Sequence, residues 1–211
     1  GNQREVIDAK NRIVMRYNYD LLGTRIYQAS MEAGERWILN DVTSKPIYAW
    51  DSRNHRFRTA YDPLRRPTGS FLSEGGASEK LIGQTVYGES QPDPEAKNQR
   101  GKVVTLRDQA GVVTTEDYDF QGNLLQTKRE LAGDYKTTID WLTAPALEPE
   151  SFAGSTTYDA LNRPMTVTSP DGSIYRPRFN EADLLEKVDV NLRGAASATP
   201  FITNINYDAK G

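Results

Sequence analysis

Apolar and aromatic residues come in short runs of five to nine positions along this chain, each closed by a polar turn cluster. Residues 12–19, Arg-Ile-Val-Met-Arg-Tyr-Asn-Tyr, set the type: β-branched and aromatic side chains interleaved with polar ones, a pattern that suits a half-buried pleated surface. The same reading predicts strands over 4–8, 24–29, 36–39, 46–50, 56–61, 66–72, 81–87, 102–107, 112–118, 124–131, 135–141, 155–158, 163–168, 173–178, 184–190 and 201–207. The turn between 12–19 and 24–29 supplies a motif: an aromatic, Asp, two free positions, then Gly.

That motif recurs. Tyr19-Asp20-Leu21-Leu22-Gly23, Tyr118-Asp119-Phe120-Gln121-Gly122 and Tyr207-Asp208-Ala209-Lys210-Gly211 fit it fully, while Trp50-Asp51-Ser52-Arg53-Asn54 and Tyr158-Asp159-Ala160-Leu161-Asn162 put Asn in the Gly place. Relaxing the aromatic adds Asp8 with Asn11 and Asp108 with Gly111. Tyr61-Asp62-Pro63-Leu64-Arg65 and Phe179-Asn180-Glu181-Ala182-Asp183 are weaker copies, the first with Arg65 as a poor left-handed residue, the second with Asp183 in that place. The chemistry is that of a hairpin. An Asp carboxylate binds backbone N–H groups two or more residues on, and a left-handed backbone costs Gly nothing and Asn little. Neighbouring turn Asp residues are 11 or 12 positions apart, as at Asp8/Asp20, Asp51/Asp62 and Asp108/Asp119. That leaves room for one ordinary strand between turns. The expected fold is all-β, an antiparallel meander of these hairpins in one sheet over 1–211.

Three stretches interrupt the pattern, at about 73–80, 88–101 and 142–153. In the second, Asp93 as N-cap, Pro94 at the first helical position and Gly101 beyond the end predict a short helix. The third reads as a loop or a single helical turn. Residues 31–35 and Pro170-Asp171-Gly172 read as turns, and 194–199 as a small-residue loop.

Composition narrows the function classes. The chain has 211 residues, a net charge of −3, one His and no Cys. A net negative charge argues against a nucleic-acid binder, and thiolate catalysis, disulfides and zinc–thiolate sites are excluded. No apolar run is long enough to span a membrane. His55 sits in a turn beside Asp51 and reads as a solvated turn residue rather than a catalytic one. Glu116, Asp117 and Asp119, and Asp183 with Glu186, are carboxylate clusters that glycosidase or Ca²⁺ chemistry would need to bring face to face; solvated strand faces and turn caps explain them as well. Ser73-Glu74-Gly75-Gly76-Ala77 lacks the Gly-Lys-Ser/Thr of a phosphate loop. Tyr17, Tyr19, Tyr27, Trp37, Tyr48 and Trp50 could stack on sugars or pack half-buried on a sheet.

The turns Tyr158-Asp159-Ala160-Leu161-Asn162-Arg163-Pro164 and Tyr118-Asp119-Phe120-Gln121-Gly122-Asn123-Leu124 resemble the YD repeats of Rhs proteins. The whole chain looks most like the YD-repeat portion of the B component of bacterial insecticidal toxin complexes. This resemblance implies a curved β-strip, a fragment of a hollow shell that encloses a toxic effector polypeptide for delivery through a translocation-pore partner. It implies a non-catalytic, structural role without cofactor, in a bacterial protein that is secreted or held at the cell surface after synthesis in the cytoplasm. The Asp-Pro-x-Gly signature of the self-cleaving segment is not matched by Asp62-Pro63-Leu64-Arg65 or Asp93-Pro94-Glu95-Ala96, so that segment, the effector and the docking propeller are expected to lie outside these residues. The partners implied are the remainder of the shell and the effector. Exposed sheet edges would also favour self-association. A carbohydrate-binding or adhesion module is the alternative.

Overall fold

The structure, a computed structural model, describes residues 1–208. Sixteen strands run through them: β1 (Glu5–Ile7), β2 (Ile13–Tyr19), β3 (Arg25–Ser30), β4 (Gly34–Asn40), β5 (Pro46–Asp51), β6 (His55–Tyr61), β7 (Pro67–Glu74), β8 (Lys80–Tyr87), β9 (Val103–Asp108), β10 (Gly111–Tyr118), β11 (Leu124–Ala132), β12 (Leu147–Tyr158), β13 (Pro164–Thr168), β14 (Ile174–Phe179), β15 (Leu185–Asn191) and β16 (Thr199–Ile202). They form one all-β sheet in strict chain order, from β1 to β16. The only helical elements among the described residues are 3-10 turns, Gly88–Ser90, Trp141–Thr143 and Leu192–Gly194.

Residues group into two compact units. The first holds Gly1–Thr85, Arg107–Gln109 and Asp134–Pro145; the second holds Val86–Leu106, Ala110–Gly133 and the chain from Ala146. In the first, Leu81 and Ile139 are the deeply buried apolar side chains; in the second, Val104, Val112 and Val190 are.

Register within the sheet follows a rule that composition does not announce. Where a turn opens at Asp or Asn in position i, Asp51 excepted, residue i−1 pairs with i+5 and residue i−2 with i+7, so i+6 is an extra residue; at Asp51 the pairs Trp50↔Arg56 and Ala49↔Phe57 run on without one. The pairs Tyr19↔Arg25 with Asn18↔Tyr27, and Tyr118↔Leu124 with Asp117↔Gln126, show it. The extra residues are Val14, Ile26, Ile47, Thr68, Leu125, Met165 and Glu186. A bulge at a fixed place beside these turns raises the local twist and re-aims the side chains that follow.

Several local expectations are corrected. Residues 135–141 are not a strand. They form a loop that ends in the 3-10 turn at Trp141–Thr143, and their backbone is held from outside: Gln109 Oε1 accepts from Ile139 N at 2.8 Å, and Gln109 Nε2 donates to Ile139 O at 3.1 Å and to Ile82 O at 2.8 Å. The stretch placed at 142–153 is strand from Leu147 onward, because β11 pairs with it through Glu130↔Ser151 and Arg129↔Phe152. The helix capped by Asp93 does not form. Asp93 has φ 52°, not the extended backbone of an N-cap, and a single turn closes through Gln99 N donating to Pro94 O at 2.8 Å. β7 runs on to Glu74, so only a short hairpin loop remains of 73–80. The last strand is Thr199–Ile202 rather than 201–207.

Candidate functional site

The dominant chemistry is one turn frame, built repeatedly. At Asp20, Oδ1 accepts from Leu22 N at 2.9 Å and from Thr24 N at 2.8 Å. Asp20 N donates to Thr24 O and Gly23 N donates to Asp20 O. Asp8, Asp51, Asp119, Asp159 and Asn180 hold the i+2 and i+4 N–H groups in the same way, and Asp62 Oδ1 accepts from Arg66 N at 2.8 Å. The fourth position is left-handed: Asn11 φ 59°, Gly23 81°, Asn54 63°, Gly122 88°, Asn162 63° and Asp183 66°. Arg65 takes φ 63° as well, and its guanidinium is anchored on Asp41.

Two frames escaped the sequence reading. Asp41 builds a full copy, accepting from Thr43 N and Lys45 N, with Ser44 at φ 62°; Asn40 stands where the aromatic was sought. The turn at Pro170-Asp171-Gly172 opens one residue earlier, at Ser169, whose N donates to Ser173 O at 2.9 Å. Asp108 and Gly111 make a different turn. Residues 109–110 alone connect β9 to β10, and Gly111 already lies in the strand at φ 133°. Gly111 is packed against the β11 backbone at Glu130 and Leu131, where a Cβ would collide. Of the last copy, Tyr207 and Asp208 are described, whereas Gly211 lies outside the described residues.

The second carboxylate oxygen takes a side chain from i+4. Arg12, Arg66 and Arg163 donate through Nε to Asp8, Asp62 and Asp159 at 2.7–2.8 Å, and Asn123 does so to Asp119 at 2.8 Å. His55 fills this place at Asp51, Nδ1 to Oδ2 3.0 Å, with Phe57 at the edge of its ring. The sole His is thereby a turn latch. These contacts depress the carboxyls. Asp8 and Asp159 sit below the usual carboxylate range, chiefly because the Arg12 and Arg163 backbone N–H groups bind them.

The tyrosine before Asp reaches the backbone at the start or end of a neighbouring strand in several of these turns. Tyr61 Oη donates to Pro46 O at 2.8 Å, Tyr118 Oη to Val103 O at 2.7 Å, Tyr19 Oη to Gln3 O at 2.8 Å and Tyr207 Oη to Leu185 O at 2.5 Å. A cation from the preceding turn on the same rim covers the ring: Lys45 over Tyr61, Lys102 over Tyr118, Arg163 over Phe179. Between turns, residue i+4 of one reaches i+3 of the next, as in Thr24 Oγ1 to Ser44 Oγ (3.2 Å), Asn123 Nδ2 to Asn162 Oδ1 (2.6 Å) and Arg163 Nη1 to Asp183 Oδ1 (2.9 Å). Lys45 likewise reaches the Arg65 carbonyl. The aromatic, read from sequence as strand packing alone, is therefore at Tyr61 and Tyr118 also a hydrogen-bond donor and a cation platform.

One sheet face of the first unit carries aromatics in register. Tyr27 opposes Trp37, and Trp37 opposes Trp50; Tyr27 and Trp37 are 5.6 Å apart, and Tyr48 stacks on Trp50 at 5.7 Å. Trp37 and Trp50 stay part-exposed. Of the carboxylate clusters, Asp119 is spent on its turn, Asp183 pairs with Arg163, and Glu116 falls at the register irregularity of β10. Among the described residues no group of three or more His, Asp or Glu is placed to hold a metal ion, and no helix is long and apolar enough to cross a membrane.

Comparison with solved structures decides the fold. A crystal structure of TcdB2-TccC3-Cdc42 superposes with a TM-score of 0.84 at 21% identity over 95% of this chain. The structure of the Photorhabdus luminescens Tc holotoxin pore does so with 0.85 at 21% identity over the full length. This chain has the toxin-complex YD-repeat fold. In sequence it is similar to the toxin subunit YenC2 of Yersinia entomophaga, 24% identical over 92% of the chain. No family model matches it. The chain spans 22% of the length of YenC2 and about a tenth of each solved toxin-complex chain.

Proposed function

We propose that this chain is a structural, non-catalytic segment of a YD-repeat shell that encloses an effector polypeptide for delivery by a secreted bacterial toxin complex. The observation that carries the reading is the turn frame itself. Asp, Asn and Tyr side chains that an enzyme would leave free for substrate are spent on backbone groups, turn after turn. Residues 1–211 act in this reading as one wall segment. Its partners are the remaining shell, the effector and a pore component. The likeness to TcdB2-TccC3 chains and to YenC2 supports it.

The test uses the full-length protein that contains this segment, with a protease-sensitive reporter as the enclosed polypeptide. Protection of the reporter is expected in the intact protein, and faster cleavage when Tyr61→Phe and Tyr118→Phe are combined. A reporter cut as fast in the intact protein as when free would refute enclosure.

A second reading rests on the aromatic face. Tyr27, Trp37, Tyr48 and Trp50 present part-exposed rings at spacings suited to stacking on sugar faces. Glycan binding lost in Trp37→Ala and Trp50→Ala would favour a carbohydrate-binding module. An array with no binding would discard it.

A further inference from the structure

We propose that one rim of the first unit recognises the same rim of a second copy of this chain, in an antiparallel, two-fold arrangement. This goes beyond shell formation and does not rest on it. Alternate turns of an antiparallel meander share a rim, so the turns opening at Asp20, Asp41 and Asp62, between β2 and β3, β4 and β5, and β6 and β7, lie side by side. They are 21 residues apart each time. Neighbours are therefore two strand spacings apart, roughly 10 Å, and the Thr24–Ser44 and Lys45–Arg65 contacts fix them to one another.

The two tip residues of each turn carry no charge: Leu21-Leu22, Val42-Thr43 and Pro63-Leu64. They also stand in solvent, with Leu21 105%, Leu22 82%, Val42 96% and Leu64 68% exposed. The opposite rim of the unit has charged tips, among them Lys10, Glu32 and Arg53. Of the apolar tips there, Met31 is exposed but stands beside Glu32, whereas an unbroken row of exposed apolar tips marks an interaction surface.

Charge selects the occupant. Over each five-residue frame, Asp20 alone gives −1; Asp41 and Lys45 cancel; Asp62 with Arg65 and Arg66 gives +1. The rim thus runs −1, 0, +1 at the pitch of its own apolar tips. A second copy turned end for end sets −1 against +1 at both ends and Val42 against Val42 at the centre. This is the self-complementarity of a two-fold contact. The parallel arrangement would oppose like charges, which interfaces select against.

Sedimentation of this chain over roughly 10 μM to 1 mM tests the proposal, the range suited to a contact smaller than about 800 Å² per partner. A monomer–dimer equilibrium is expected. Leu22→Lys and Leu64→Glu should each weaken it by about tenfold, as a charge enters an apolar contact. Combined in one chain they should restore most of the loss, because residue 22 of one copy faces residue 64 of the other. Both side chains are solvent-exposed, so unchanged thermal melting certifies the fold of each variant. A monomer throughout overturns the proposal. So does a dimer indifferent to both single changes, which would be held by the sheet edges at β1 or β16, and so does a double variant as weak as the two single losses together.

Discussion

Tyr61 Oη donates to the carbonyl of Pro46 at 2.8 Å, across from the end of one strand to the start of the one before it. Pro46 is the residue that follows the Asp41 turn, and Tyr61 is the residue that precedes the Asp62 turn. One phenol therefore ties two successive turns of a rim. Tyr61→Phe and Tyr118→Phe should each destabilise the fold by about 0.5–1.5 kcal/mol, the net worth of one such bond. Urea denaturation measures this. Tyr135→Phe, at a residue 83% exposed, should leave the midpoint unmoved.

The fourth turn position discriminates by backbone. Gly122 lies at φ 88°, while Asn11, Asn54 and Asn162 occupy the equivalent place near φ 60°. Gly122→Asn should then cost little, since the only atoms its Cβ would meet are at the flexible end of Lys102. Gly122→Val should cost about 1 kcal/mol or more, because a β-branched side chain resists a left-handed backbone. Equal midpoints for the two variants in urea would contradict the geometry.

Acid should unfold the protein through its turn carboxylates. Asp8, Asp159 and Asp171 are each held below their ordinary range, first of all by backbone N–H groups of Arg12, Arg163 and Ser173. A carboxyl whose folded pKa is depressed contributes stability that is fully present above its unfolded value and disappears as pH falls through the folded one. The urea midpoint should hold steady from neutrality down to the ordinary Asp range near about pH 4, then drop. In Asp159→Asn the drop should be shallower, while the neutral-pH midpoint is already lower.

Arg163 bridges two turns, with Nε and Nη2 on Asp159 and Nη1 on Asp183, and lies over the Phe179 ring. Lys has one point charge and no planar fork. Arg163→Lys should lower the urea midpoint, while Arg12→Lys, where an exposed guanidinium engages a single carboxylate, should lower it less. A double-mutant cycle between Arg163 and Asp183 in urea isolates the coupling between turns.

Gln109 should prove a keystone of the first unit. Its amide satisfies both backbone groups of Ile139, which is 4% exposed, and the carbonyl of Ile82. Gln109→Ala should cost about 1–3 kcal/mol by orphaning buried backbone groups. Hydrogen exchange should rise at Ile139 before it rises in the sheet.

Much of this was legible because the Asp frame is local. Its donors, acceptor and left-handed residue fall within five positions, so Asp20, Asp119 and Asp159 could be read from the residues alone. Asp41 was missed because Asn40 and Ser44 replace the aromatic and the Gly or Asn, although the carboxylate does the same work there. Residues 135–141 misled because Tyr-Lys-Thr-Thr-Ile-Asp-Trp is a good local strand sequence; a side chain thirty positions earlier captures its backbone instead. The bulge at i+6 has no sequence signature at all, since Val14, Thr68 and Glu186 share no chemistry. The Tyr hydroxyl bonds were invisible because they join residues 15 or more apart.

The bulges beside the Asp119 and Asp159 turns also make the stretch between them a tolerant host for insertions. Asp20, Asp41 and Asp62 follow at intervals of 21 residues, yet 40 separate Asp119 from Asp159. The additional length is taken up around residues 133–146, at the far ends of β11 and β12. Asn123 still meets Asn162, as Arg163 meets Asp183. The turns at Asp119 and Asp159 each reset the pairing of their own two strands, so a length change on one margin is not transmitted to the other. Foreign residues inserted in the exposed stretch 133–137, ahead of buried Ile139, should leave the turns at Asp119 and Asp159 in place.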